Sequence, residues 1–364
     1  MLLEIGIAAI KALAVLLMLL QLAGALGWVE RKGSALIQDR IGANRASVFG
    51  FAGLGLVNTL MADPLKFIAK EDVVPAGADR FLHWLAPCVN LFPALVAFAV
   101  IPFGDVLEVG GLSINLQVAP LNVGILYVLA TVSLGVYGVV LGGWASNNRW
   151  SLLGAIRGTA QMISYEVAMG LAIVSLVLTY GTLDLQEMAR AQGGTLASWL
   201  PLPNWGIFYQ PVAFLLFFVG GIAESKRTPF DLPEAESELI SGYFTEYSGM
   251  KHLMFFMTDF VEVITVSALV ATFFFGGWQV PFLARDGFHI AGGFFAVPHL
   301  AVVLLQLISF TLKVVFLCWF QIMIRWTVPR FRYDQLMRLG WKGLLPLALA
   351  NVVVTAVVIL ALQP

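Results

Sequence analysis

Four ionisable residues, Lys11, Glu166, Glu262 and Lys313, lie in or at the edges of long apolar runs. An ionised side chain at the centre of a lipid-facing helix costs about 2.5–3.5 kcal/mol. Each of the four must therefore face neighbouring helices or water. Carboxylates held in that way are the parts from which proton relays are built. Glu166, in AQMISYEVAMG, is the best placed, with Gln161 and Tyr165 near it as hydrogen-bond partners. Lys11 and Lys313 are either partners of that kind or side chains that snorkel to an interface. Glu262 falls near the start of its run, where solvation is the simpler reading.

A second group sits between about Glu224 and Lys251, in ESKRTPFDLPEAESELISGYFTEYSGMK. Counting Asp259 just beyond, seven carboxylates (Glu224, Asp231, Glu234, Glu236, Glu238, Glu246 and Asp259) face only Lys226, Arg227 and Lys251. Asp231, with Glu234 three residues on and Pro233 between, predicts a helix N-terminus. On that helix Glu234 and Glu238 share a face and Glu236 points elsewhere. Acids in a first helical turn complement the macrodipole and commonly face water. Clustered acids beside lipid also repel one another, which raises their proton affinity and suits a relay. The loop alone leaves both readings standing.

The elements carrying these groups are membrane helices. Of 364 residues, 59% are hydrophobic and 12% charged, with a mean hydropathy of +0.87. Soluble domains carry about 25% charged residues, so this chain lacks the charge to cover a water-facing surface. Eight runs approach the roughly 20 apolar residues that cross a bilayer: about 5–27, 82–102, 122–142, 160–180, 207–224, 254–275, 300–321 and 342–362. No ten-residue alternation suggests barrel strands. The predicted fold is all-α, a single polytopic membrane domain over 1–364.

Loops of about 28–81, 143–159, 225–253 and 322–341, with Lys342 at the membrane edge, hold 17 of the 21 Lys and Arg. The opposite side has Arg190 and Arg285. The positive-inside rule places the four loops in the cytoplasm and both termini outside. Ala23-Gly24-Ala25 resembles a signal-peptidase site, but Glu4 stands where a basic region belongs, and the first segment is expected to be retained. In the first loop Leu54, Val57, Leu60, Met61, Leu65 and Ile68 approach helical spacing, as in an amphipathic interfacial helix. Pro64 should kink it or start a new turn. No basic arm suggests nucleic acid. Cys88 and Cys318, and His83, His252, His289 and His299, show no metal-ligand spacing, so no bound metal is expected.

Longer motifs carry a resemblance. GWVERKGSALIQDRIGANR with ADPLKFIAKED, GGWASNNRWSLLGAIRGTAQMISYE, RTPFDLPEAESELISGYFTEYSG and WTVPRFRYDQLMRLGWK resemble the four cytoplasmic loops of the H-subunit family of bacterial respiratory complex I, NADH:quinone oxidoreductase. That family is the counterpart of mitochondrial complex I subunit 1. The resemblance runs from about Trp28 to the last span.

It implies a subunit in the bacterial inner membrane, beside other complex I subunits: those of the peripheral arm's quinone module, and small membrane subunits leading to antiporter-like ones. It also implies that the chain forms much of a quinone chamber and the start of a proton-coupling path. Flavin and iron–sulfur clusters would belong to partner subunits, with quinone as the substrate here. The quinone-chamber residues implied are Arg31, Gln38, Arg40, Asp63, Lys66, Phe230 and Asp231. The proton path implied is Glu166, Glu224, Glu234, Glu236, Glu238 and Glu246, with Arg157 and Arg227 as charge partners.

Three departures stand out. Ala43 replaces the proline of the family's DRxGPNR pattern, Thr59-Leu60 stand where many members have Gln-Pro, and Ser133 stands where some carry a glutamate. Rival readings are the related membrane subunit of an energy-converting hydrogenase or of a deazaflavin- or ferredoxin-fed complex, a stand-alone ion-coupled transporter, and a structural anchor. A transporter would commonly show an internal repeat, and none is found. An anchor has no need of seven acids in one loop.

Overall fold

A chain in lipid must satisfy its backbone within each spanning segment, and helices do so. The computed structural model describes residues 2–43, 55–109, 111–197, 200–290 and 293–362. Within these, the helices in chain order are α1 (Leu2–Ile37), α2 (Gly55–Ala69), α3 (Arg80–Ala97), α4 (Gly124–Ala145), α5 (Arg149–Tyr180), α6 (Leu185–Ala191), α7 (Gly206–Tyr209), α8 (Pro211–Glu224), α9 (Glu236–Leu239), α10 (Gly249–Phe274), α11 (His299–Thr327), α12 (Tyr333–Arg338) and α13 (Leu345–Leu362). Seven are long and apolar enough to cross a bilayer, α13 together with the turns that precede it. The chain is a polytopic membrane protein.

Local sequence sets the helix ends. Asp79 caps α3 by accepting from the Phe81 and Leu82 amides, and Asn148 caps α5 by accepting from Trp150. Gly181, in a left-handed conformation at φ 70°, closes α5. The apolar run near 207–224 is broken: α7 ends at Tyr209 and the 14-residue α8 begins with Pro211. Proline suits a first helical position and drives the residue before it out of helix. Gln210 accordingly takes φ −132° and ψ 57°. At the other extreme, α1 continues ten residues past the apolar run, through Glu30, Arg31 and Lys32, to Ile37. At 1.5 Å per residue its 36 residues span about 54 Å, well beyond a hydrocarbon core of about 30 Å.

α10 is the axis of the bundle. Every residue from Thr258 to Phe274 is buried, with α8, α3, α11 and α1 packed around it. α4 meets α3 through glycine: a Cβ on Gly138 would lie 2.6 Å from the Asn90 amide nitrogen, so the two backbones touch there. α2 runs unbroken through Pro64. Its Leu60 lies against Gly24 of α1, while Val57, Met61, Leu65 and Ile68 face outward. Leu54 lies outside the described residues.

The even connections form one end of the bundle. Each carries a two-stranded hairpin: β1 (Val106–Val109) with β2 (Leu112–Asn115), β3 (Thr195–Ala197) with β4 (Leu200–Pro203), and β5 (Gly287–Ile290) with β6 (Gly293–Ala296). Asp105 ties all three connections together, with Arg190 at 2.7 Å and Arg285 at 2.6 Å. Burial pushes the Asp105 carboxyl up, but hydrogen bonds and charge from the two guanidiniums hold it below the usual carboxylate range. Lys11 and Lys313 serve this end and do not meet Glu166. The Lys11 ammonium donates to the carbonyls of Asn115 and Gln117. That of Lys313 donates to those of Phe275, Gly277 and Gln279, at 2.7–2.9 Å.

Candidate functional site

The odd loops gather at the opposite end, where the acids of the sequence find partners. The predicted helix from Asp231 does not form. α9 is a single turn, Glu236–Leu239, and Ala235 before it has a non-helical backbone (φ 18°, ψ 69°). Asp231 instead turns its carboxylate to Arg330, 2.5 Å away, and accepts from the Thr228 hydroxyl. The guanidinium from the last loop, and not a helix N-terminus, is what orients this carboxylate.

Other pairs follow the same pattern. Glu238 meets Arg157 of α5 at 2.6 Å, and Glu246 accepts from the Asn148 amide at 2.6 Å. Arg227 pairs with Glu30 of α1 at 2.7 Å, and Arg325 of α11 reaches the other oxygen of Glu30. Arg227 also lies over the Phe260 ring, 4.1 Å from its centre. α1, the acidic loop and α11 are thus joined by one carboxylate. The side chain of Glu236 lies outside what the structure describes.

Deeper in, Lys226 is fully buried, 3.1 Å from both Asp259 and Glu262 of α10. Burial pushes its ammonium down, but the two carboxylates outweigh that and hold it above the usual lysine value. Its backbone is left-handed at φ 53°, a conformation that non-glycine residues keep when the surroundings over-determine it. Glu262 is therefore not the solvated residue its position in the run suggested. Glu234 lies over this cluster. Burial, with Asp259 and Asp231 beside it, raises its carboxyl well above the ordinary range despite Arg227.

Glu224, the last residue of α8, is buried, with Glu262, Glu166 and Lys226 as its charged neighbours. Glu224 and Glu262 both line a cavity of about 30 Å³ among α3, α4, α5, α8 and α10, with Asn90 and Gly135 on its wall. The partner of Glu166 is neither Gln161 nor Tyr165. Gln161 donates to the carbonyls of Ala223 and Phe230, and the Tyr165 hydroxyl to that of Leu336. Both residues hold the acidic loop and the last loop against α5. Glu166 is hydrogen-bonded by the Ser133 hydroxyl of α4.

The residues implied for the quinone chamber divide. Arg31 and Asp63 form an ion pair at 2.7 Å. They line a mostly apolar cavity of about 280 Å³ among α1, α2, α3 and α10, whose walls include Gly24, Leu60, Met254 and Met257. Phe230 and Asp231 sit elsewhere: the Phe230 ring packs edge-on against Tyr165, and Phe331 lies 5.4 Å from it. Gln38 accepts from Arg40 at 2.8 Å on the exposed turn after α1, and Lys66 is exposed on α2. Ala43 is described, whereas Asn44 and Arg45 of the same motif lie outside the described residues.

The sequence reading missed Glu30, Lys226, Arg325 and Arg330 as members of the site. A signal existed for Glu30, since an acid one turn past a span with no local basic partner at helical spacing needs one from another helix. None of the other three pairings leaves a local trace.

The NADH dehydrogenase family model matches residues 10–356. The NADH-quinone oxidoreductase H subunit of Thermomicrobium roseum is 48% identical, covering 93% of this chain and 92% of its own. The first of the numbered H subunits of Cytophaga hutchinsonii is 46% identical over 92% and 91% of the two chains, and the H subunit of Bdellovibrio bacteriovorus 44% over 98% and 97%. On a match of this extent, the chain belongs to the NADH dehydrogenase family of membrane proteins, alongside the H subunits of NADH-quinone oxidoreductases.

Proposed function

We propose that this chain is the quinone-handling membrane subunit of a proton-pumping NADH:quinone oxidoreductase of the bacterial inner membrane. Both termini lie on the outer side, and the odd loops face the cytoplasm and the complex's electron-transferring subunits. Flavin and iron–sulfur groups reside in those partners. Antiporter-like subunits lie farther along the membrane arm. The observation that carries the reading is the row of ionisable groups leading from the acidic loop into the bundle, in which Asp259, Lys226, Glu262 and Glu224 are buried and Glu234 and Glu166 are half-buried.

In this reading the apolar cavity beside Arg31 and Asp63 admits quinone from the bilayer, Gln38, Arg40 and Lys66 belong to surfaces completed by partner subunits, and the buried Phe230 and Asp231 support the chamber from within the acidic loop. Reduction of a quinone to a quinol consumes two electrons and two protons. Negative charge developing on the substrate raises the proton affinity of nearby carboxylates. Loss of a proton to quinol then leaves an acid that must be refilled. Arg227 and Arg157 hold the loop's backbone in register while Glu234, Glu236, Glu238, Glu246, Glu224 and Glu166 carry or bias the proton.

Two experiments test this. Mild-detergent purification from native membranes should bring down flavin, iron–sulfur and antiporter-like subunits, with NADH:quinone reductase activity. A lone monomer or homodimer would overturn the assignment. In the assembled complex, Glu224→Gln should lower quinone reduction and pumping together. Normal values of both, at normal assembly, would remove Glu224 from the path.

A further inference from the structure

Asn90 has no role in the pairs described so far, yet its position is costly. It is fully buried in the middle of α3, and neither its amide nitrogen nor its oxygen has a hydrogen-bond partner among the described residues. A buried amide left unpaired is destabilising, and leucine would fill the same volume without that cost. Asn90 belongs to the wall of the roughly 30 Å³ cavity that Glu224 and Glu262 also line. Glycine keeps that space open. A Cβ built on Gly135 would stand 3.8 Å from Asn90 Oδ1 and 4.0 Å from Glu262 Oε1, with no clash. The methyl would take up the gap between the two oxygens.

A cavity of more than about 10–15 Å³ has room for a water, which protein interiors hold by two to four polar partners. The space beside Asn90 has that room, and Asn90, Glu224, Glu262 and Thr265 are the polar residues on its otherwise apolar wall. We infer that Asn90 is a positioning residue that fixes a bridging water between Glu262 and Glu224, with Gly135 shaping its seat. The inference rests on the proton path proposed above and supplies its connecting link. As one carboxyl gives a proton to the water, the water releases another to the second carboxylate, and no net charge remains on it. The amide stays neutral throughout; it donates to the water oxygen and accepts from one of its hydrogens.

The test uses the whole complex in proteoliposomes, with quinone reduction, pumping and the solvent deuterium effect measured on four variants. Gly135→Ala removes no polar group and fills the seat, and Asn90→Leu removes the anchor. Each should lower turnover about tenfold and raise the deuterium effect, because proton transfer becomes the slow step. Asn90→Ser, which keeps a hydroxyl and leaves room for water, should recover most of the turnover of Asn90→Leu. If Asn90→Leu fails to assemble, Gly135→Ala decides alone. A slower enzyme with an unchanged deuterium effect would mean a packing defect and overturn the inference. Normal turnover in Gly135→Ala, with Glu224→Gln impaired, would sink the water link and leave the carboxylate path standing. Normal turnover in both would remove the path itself.

Discussion

Replacing Lys226 with methionine is the perturbation with the best-defined consequence. The residue is fully buried and sits 3.1 Å from Asp259 and from Glu262. At an effective dielectric constant of about 20, each contact corresponds to about 5 kcal/mol of Coulomb attraction. Desolvation offsets much of that gain, so the pair contributes far less than the sum. Deleting one partner still costs about 3–5 kcal/mol, because the other charge stays buried and uncompensated. Here two carboxylates would be left facing each other. Thermal inactivation of the detergent-solubilised complex should therefore move to lower temperature in Lys226→Met. Adding Asp259→Asn and Glu262→Gln should restore most of the stability without restoring pumping. A single Lys226→Met variant as stable as the parent at pH 8 would refute the reasoning, as would a triple variant no better than the single one.

Two further outcomes follow from groups outside the spans. Burial and the neighbouring Asp259 and Asp231 raise the Glu234 carboxyl well above the ordinary range. Its contribution to stability is complete below about pH 4.3, the ordinary glutamate value, and is lost as pH rises through its raised value. Glu234→Gln should thus flatten the alkaline decline in thermal midpoint; an unchanged alkaline limb would contradict this. Asp105 has the opposite sign, since its carboxyl lies below the usual range. Its stabilisation is present above about pH 3.9 and disappears as pH falls through the depressed value. Asp105→Asn should cost only about 1 kcal/mol near pH 7, because both arginines are substantially exposed. It should also remove the acid-side loss, and an acid limb that persists in the variant would be the contrary result.

The membrane class was legible from the sequence because it depends on run length and on a shortage of charge, both local quantities. Irregularities within the helices were harder. Pro64 passes through α2 without ending it, and Pro211 starts a second helix where composition alone saw one unbroken span. The acidic loop was misread as a helix because its capping pattern was judged without partners. Arg330 lies 99 residues from Asp231, and Arg325 lies 295 residues from Glu30. Pairings over such separations leave no periodicity in the chain. Ser133 illustrates a gain in the other direction. Its position suggested a missing carboxylate, and the structure gives it a hydroxyl bond to Glu166.

The knot at Asp105 bears on biogenesis. Arg190 and Arg285 are the two basic residues of the even connections, so under the proposed orientation they are the charges that insertion must carry outward. Their common counter-ion emerges from the ribosome first, and Arg285 follows it by 180 residues. The knot can close only after α10 has been threaded and the hairpin after it has reached the same side as Asp105. It therefore acts as a late latch on topology: a chain whose fifth or sixth span is inserted the wrong way round leaves Asp105 without one or both cations. Such a chain lacks the cross-link joining the three even connections.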